Sequence, residues 1–165
     1  MIKVFLIVAV TADGFIAQGT DELVDWTSKE DKKLFVELTK RAGVIIFGGN
    51  TFRTVNRALP GRRNIVYSHA KIDVEGVETT SEPPAELIKR LEREGLSEVA
   101  VCGGRAIYDL FLQAGVVDEM YLSVEPILFG TGISLLQTPT AIELTLLEAK
   151  KLNDNTMLLH YEVER

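Results

Sequence analysis

Val99-Ala100-Val101-Cys102-Gly103-Gly104-Arg105-Ala106-Ile107-Tyr108 is the stretch from which the fold can be read. Four apolar residues form a strand buried on both faces, as in a parallel sheet. Two glycines then open a helix that runs to about residue 114. Small residues at a helix N-terminus let a phosphate approach free N–H groups and the positive end of the dipole. Taken alone, the turn is either such a cradle or a tight junction with no ligand. It is not the G-x-G-x-x-G fingerprint, so a Rossmann assignment is unsupported. Phe47-Gly48-Gly49-Asn50-Thr51 repeats the pattern after an apolar strand over 44–47, with a short helix near Thr51. Two such turns at the carboxyl ends of buried strands can form one crevice.

Working outward, 4–10 is a continuous apolar run, expected at the sheet centre. Residues 11–28 are expected to form a long loop, and loops of that length are usually functional or disordered. A helix is predicted over 29–40, a strand over 64–68 after the Pro60-Gly61 turn, and a helix over 85–94 after Pro83-Pro84. A strand over 119–124 precedes a closing hairpin of 144–151 with 156–163, turned around Asn153-Asp154-Asn155. Strands alternating with helices predict an α/β fold: a central, mostly parallel mixed sheet flanked by helices in three layers, with an antiparallel C-terminal hairpin. At 165 residues, a single domain over 1–165 is expected.

The net charge of −6 argues against nonspecific binding to nucleic acid or an anionic membrane. The 4–10 run is too short to span a bilayer. One cysteine, Cys102, allows no disulfide framework, and a reducing, cytoplasmic setting fits best. No metal-ligand spacing such as His-Glu-x-x-His is present, nor a serine nucleophile elbow.

Asp31 is the most informative single residue. Leu34, Phe35 and Leu38 share its helix face, so an apolar face begins with a carboxylate. Thr27-x-x-Glu30 would supply the capping box. Asp31 is then either a first-turn acid favoured by the dipole or a partly buried carboxyl with a raised pKa, suited to proton traffic. Leu59-Pro60-Gly61-Arg62-Arg63-Asn64 places an arginine just after a turn. It could clamp a carboxylate with two parallel hydrogen bonds or be half of a solvated basic pair.

Together these pieces resemble dihydrofolate reductase over nearly the whole chain. The likeness lies in the spacing of Trp26, Asp31, Phe35 and Thr39, in Phe47-Gly48-x-x-Thr51, and in Leu59-Pro60-Gly61-Arg62-x-Asn64-Ile65. Cys102-Gly103-Gly104-x-x-x-Tyr108 and Tyr121-Leu122-Ser123 complete it. The resemblance implies NADPH-dependent reduction of 7,8-dihydrofolate, with NADH not excluded, in a monomer or homodimer. Asp31 would promote protonation of the pterin, with Trp26 positioning a water and the Ser123 hydroxyl supporting the acid. Ile7, Val8, Phe35, Val55, Leu59, Cys102 and Tyr108 would line the substrate site, and Arg62 would grip its carboxylate. Ala9, Ile16, Gly48, Gly49, Asn50, Thr51, Gly103, Gly104, Arg105, Ala106 and Ile107 would hold the cofactor. Gly49 stands where the family often has a basic residue, a role open to Ser68, His69 or Arg53.

A second resemblance is to the reductase domain of riboflavin biosynthesis. Thr11-Ala12-Asp13-Gly14-Phe15-Ile16-Ala17 carries it, as do Ala114-Gly115-Val116-Val117-Asp118-Glu119 and Pro126-Ile127-Leu128-Phe129-Gly130-Thr131-Gly132. That domain shares the fold and cofactor but reduces a ribosylaminopyrimidine phosphate. The set of Trp26, Asp31, Phe35 and Arg62 favours the folate reading. A nucleotide-binding protein without turnover would need the two glycine turns but not Asp31 on an apolar face.

Overall fold

The first strand, β1 (Lys3–Thr11), has no polar face, and seven of its nine residues are buried. A strand of that kind must have layers on both sides. The computed structural model describes residues 1–19 and 24–165. After β1 come β2 (Phe15–Ala17), α1 (Lys29–Ala42), β3 (Val44–Gly48), α2 (Gly49–Val55), β4 (Arg63–Tyr67) and β5 (Val77–Thr80). Then follow α3 (Pro84–Arg93), β6 (Glu98–Val101), α4 (Arg105–Gln113), β7 (Glu119–Glu125), β8 (Ile133–Ser134), β9 (Leu144–Lys151) and β10 (Met157–Val163).

Eight strands form one mixed sheet in the order β5-β4-β3-β6-β1-β7-β10-β9. From β5 to β7 every neighbouring pair is parallel. The β10 strand is antiparallel to both β7 and β9, which is the expected closing hairpin. Alternation along the strands builds two cores. Val4, Leu6 and Val8 of β1 pack with Leu87 and Leu91 of α3 and with Ile107 and Phe111 of α4. Phe5 and Ile7 face the other way, with Leu38 and Ala42 of α1 and Phe52 of α2.

The expected loop over 11–28 is not unbroken. It contains β2, which pairs with β8 in a small separate sheet. The part of that loop at 20–23 lies outside the described residues. The first helix runs two residues past its expected end, to Ala42, and is closed by Gly43 at φ 76°, whose N–H bonds the Thr39 carbonyl. The β5 strand has no counterpart in the sequence reading. Its residues, Val77-Glu78-Thr79-Thr80, carry a single apolar side chain, and parallel pairing with β4 makes them a strand.

Candidate active site

The two glycine turns meet. At the end of β3 the Gly48 N–H donates to the Gly103 carbonyl over 2.7 Å. A Cβ on Gly48 would stand 2.8 Å from Ile107 Cγ1, and one on Gly104 would stand 3.1 Å from Thr51 Oγ1. Gly103 has φ 110°, a conformation that favours glycine, and precedes a cis peptide to Gly104. Neither α2 nor α4 has a side-chain cap. The amide donors that open each helix are therefore left for a ligand or solvent, side by side. This arrangement can hold a phosphate-type anion. Around it, Thr51 and Arg105 are half-buried, while Asn50 and Ala106 are exposed. Gly49 lies near the Tyr67 carbonyl at the end of β4. Ser68 spends its hydroxyl on the Ala70 carbonyl, 2.7 Å away, and His69 is exposed. The Arg53 guanidinium is exposed on α2 and hydrogen-bonds the Asn50 side chain.

On the α1 side of the sheet, Asp31 is 9% exposed. Burial pushes its carboxyl above the usual aspartate range. The Ser123 hydroxyl opposes this, Glu125 adds to it, and the Thr27 hydroxyl and the Lys32 charge pull back. The expected capping box does not form. Ser28, not Thr27, caps α1, accepting the Asp31 N–H over 3.2 Å. The Ser28 hydroxyl is fixed there because it also donates to Glu125 Oε1, 2.9 Å away. Thr27 is buried and turned toward Asp31, and Glu30 meets the Asn153 amide at 3.4 Å.

Arg62 lies further along α1, against Thr39. Its Nη1 donates to Thr39 Oγ1 and its Nε to the Pro60 carbonyl, each at 3.0 Å. Among the described residues it makes no ion pair, unlike Arg63, which binds Glu78 and Glu94. The loop holding it is stapled by buried Asn64, which accepts the Leu59 N–H at 2.8 Å and donates to the carbonyls of Leu59 and Arg62. Half-buried Phe35, Leu59 and Cys102 pack onto the same core as Ile7, and Val55 is half-buried at the end of α2. The Tyr108 hydroxyl donates to the Ile7 carbonyl over 2.7 Å. Val8 faces the opposite layer, with α3 and α4. Ala9 pairs with Ser123 in register, and Ile16 packs against the α3/α4 core.

Residues 3–125 match the family model described as dihydrofolate reductase. The chain belongs to the dihydrofolate reductase family. The dihydrofolate reductase of Staphylococcus haemolyticus is 32% identical over 123 residues, covering 74% of this chain and 69% of that protein. YwjB of Bacillus subtilis is 25% identical over 169 residues, covering 96% of this chain and 97% of its own. Among solved structures, Acinetobacter baumannii RibD superposes with a TM-score of 0.85 at 18% identity, over the whole of this chain and 59% of RibD. A pyrimidine reductase-like protein of Corynebacterium diphtheriae gives 0.77 at 17% identity, over 99% of this chain and 92% of its own. The fold is thus shared with both kinds of relative.

Within this dihydrofolate reductase fold several site residues escaped the sequence reading. Asp13 accepts the Thr11 hydroxyl at 2.6 Å and the N–H groups of Phe129 and Gly130 at 3.2 and 2.7 Å. Phe129 in turn stacks edge-on against Trp26, centroids 5.2 Å apart. Trp26 lines a cleft of about 530 Å³ with Glu125, Pro126 and the hairpin turn 153–156. Glu125 is 2% exposed. The Asp13-Gly14 and Phe129-Gly130 motifs were visible separately, but nothing local said that they touch.

Proposed function

We propose that the protein reduces 7,8-dihydrofolate to 5,6,7,8-tetrahydrofolate with NADPH. The observation that carries this is a buried Asp31 at the start of α1 and, bonded to Thr39 on the same helix, an Arg62 whose guanidinium is steadied by Thr39 and Pro60 and free of protein carboxylates among the described residues. Ile7, Phe35 and Leu59 supply apolar packing on that face of the sheet. A flat heterocycle on such a floor, with a carboxylate tail at Arg62, uses both groups.

The facing glycine turns fit the pyrophosphate of a nicotinamide dinucleotide, whose contribution would be a hydride to C6 of the pterin. Gly48, Thr51, Gly103, Gly104 and Arg105 would hold it. Asp31, raised by burial, keeps a proton at higher pH than an exposed aspartate and promotes its delivery to N5. Ser28, bonded to the Asp31 N–H and to Glu125, holds the first turn of α1 in place beneath the carboxyl.

A second reading, reduction of a ribosylaminopyrimidine phosphate, draws on the junction of Asp13 with Phe129 and Gly130. It joins the two motifs that resemble the riboflavin-pathway domain. That substrate would need a phosphate site in place of a carboxylate clamp. The deciding experiment follows the loss of NADPH absorbance with each substrate, with NADH in parallel. Oxidation that depends on dihydrofolate supports the proposal. Oxidation only with the ribosylaminopyrimidine phosphate replaces it with the second reading.

A further inference from the structure

On β7 the side chains of Tyr121, Ser123 and Glu125 point to one face by the two-residue repeat of a strand. All three are buried. Tyr121 packs in the core beneath α1, the Ser123 hydroxyl pulls the Asp31 carboxyl down toward its usual range, and Glu125 accepts from Ser28 at the start of α1. A glutamate 2% exposed at a strand end is unusual, because an unpaired buried charge is costly. Glu125 has no cationic partner among the described residues. Two hydroxyls satisfy it instead: Ser28 at Oε1, 2.9 Å, and Thr156 at Oε2, 3.1 Å. Both its oxygens accept, so neither is left without a partner.

The same Ser28 oxygen accepts the Asp31 N–H. A continuous chain therefore runs from Thr156 in the C-terminal hairpin through Glu125 and Ser28 to the backbone of Asp31. We propose that Glu125 is a positioning residue for Asp31: anchored by Ser28 and Thr156, it fixes the first turn of α1 and sets a negative charge beside the active-site carboxyl. The inference rests on the reading of Asp31 as the proton-handling group. Two buried carboxylates close together hold a proton more tightly than either alone. Glu125 accordingly acts on Asp31 in the same direction as burial does. Other charged or titratable groups act on the pair among the described residues. Lys32 lies on the helix itself and opposes the effect, and Tyr108 of α4 spends its hydroxyl on the Ile7 carbonyl. Asp154 lines the cleft beside Glu125, and Glu30 is engaged by Asn153.

The test does not depend on the substrate. Carboxyl carbons of aspartate and glutamate are labelled with 13C in the full chain and titrated by NMR, with Asp31→Asn and Glu125→Gln giving the assignments. In the wild-type protein the Glu125 signal should show an inflection at the pH where Asp31 titrates. In Glu125→Gln, which keeps the shape, the Asp31 midpoint should fall by about one pH unit. Glu125→Asp, which keeps the charge, should restore most of it. An Asp31 midpoint unmoved in Glu125→Gln overturns the proposal. Should that variant fail to fold, absence of the wild-type inflection does so. In turnover, the alkaline limb of kcat/KM for dihydrofolate should move to lower pH by the same amount, about a tenfold loss of rate beyond the limb for each unit. A coupled pair in the spectra with no dihydrofolate turnover would sink the substrate reading and leave the pair standing.

Discussion

Because burial lifts the carboxyl of Asp31, the folded chain binds that proton more tightly than the unfolded chain, whose aspartates titrate near about 3.9. Between those two values the native state holds more protons, so stability falls as pH rises toward the folded value and is flat beyond it. Asp31→Asn escapes this loss. At pH 7 the variant should therefore unfold at a higher temperature than its parent, and the difference should close below about pH 4. The same variant should lose most dihydrofolate turnover near neutral pH, and melting curves beside rates would show both effects. Arg62→Leu should raise KM for dihydrofolate about tenfold to a hundredfold, from the 1.5–3 kcal/mol typical of a charged hydrogen bond, with kcat little changed. Asp31 was legible because a carboxylate at the head of an apolar stripe breaks the pattern. Glu125 was not, because a charge at the end of a strand ordinarily marks the return to solvent. It is buried only because Ser28 and Thr156, far away in sequence, bring hydroxyls to it.

At the scale of elements, the glycine turns are matched to each other. Gly104→Val would place its Cβ 3.1 Å from Thr51 Oγ1 and its branches between the starts of α2 and α4. The protein should still fold, and its affinity for NADPH, read by fluorescence titration, should drop more than tenfold. Normal affinity in that variant would place the pyrophosphate elsewhere. Gly132→Ala is a different case, since its Cβ would fall 2.5 Å from the Ala17 carbonyl oxygen. Backbone must shift there, and the β2–β8 pair should open, seen as faster amide exchange at Phe15 and Ala17. Both glycine turns could be read from the sequence, since apolar runs ending in Gly-Gly need no partner to be recognised. The β2 and β8 strands could not, being three and two residues long and existing only through each other.

For the whole molecule, the two cores divide the labour. The α1/α2 layer lies on the face that holds Asp31 and Thr39, the partner of Arg62, whereas α3 packs on the far side. Leu91, fully buried on α3, should cost about 2–5 kcal/mol when changed to Ala, measured by denaturant unfolding. KM for either ligand should stay where it was. The class of fold followed from the alternation of strand and helix, but the strand order did not. No local pattern says that β1 lies between β6 and β7, or that β10 is slipped between β7 and β9.

That central position sets a timetable for synthesis. The neighbours of β1 are residues 98–101 and 119–125, so its first pairing, Lys3 with Glu98, waits for a residue 95 positions on, and its second, Phe5 with Glu119, for one 114 positions on. Throughout that interval a ribosome carries an unpaired ribbon of valine, leucine, isoleucine and phenylalanine, a natural client for a chaperone. The carboxyl at residue 31 waits longer still. The threonine that steadies its neighbour is residue 156, so the nascent chain completes the surroundings of that carboxyl only as the β9–β10 hairpin closes.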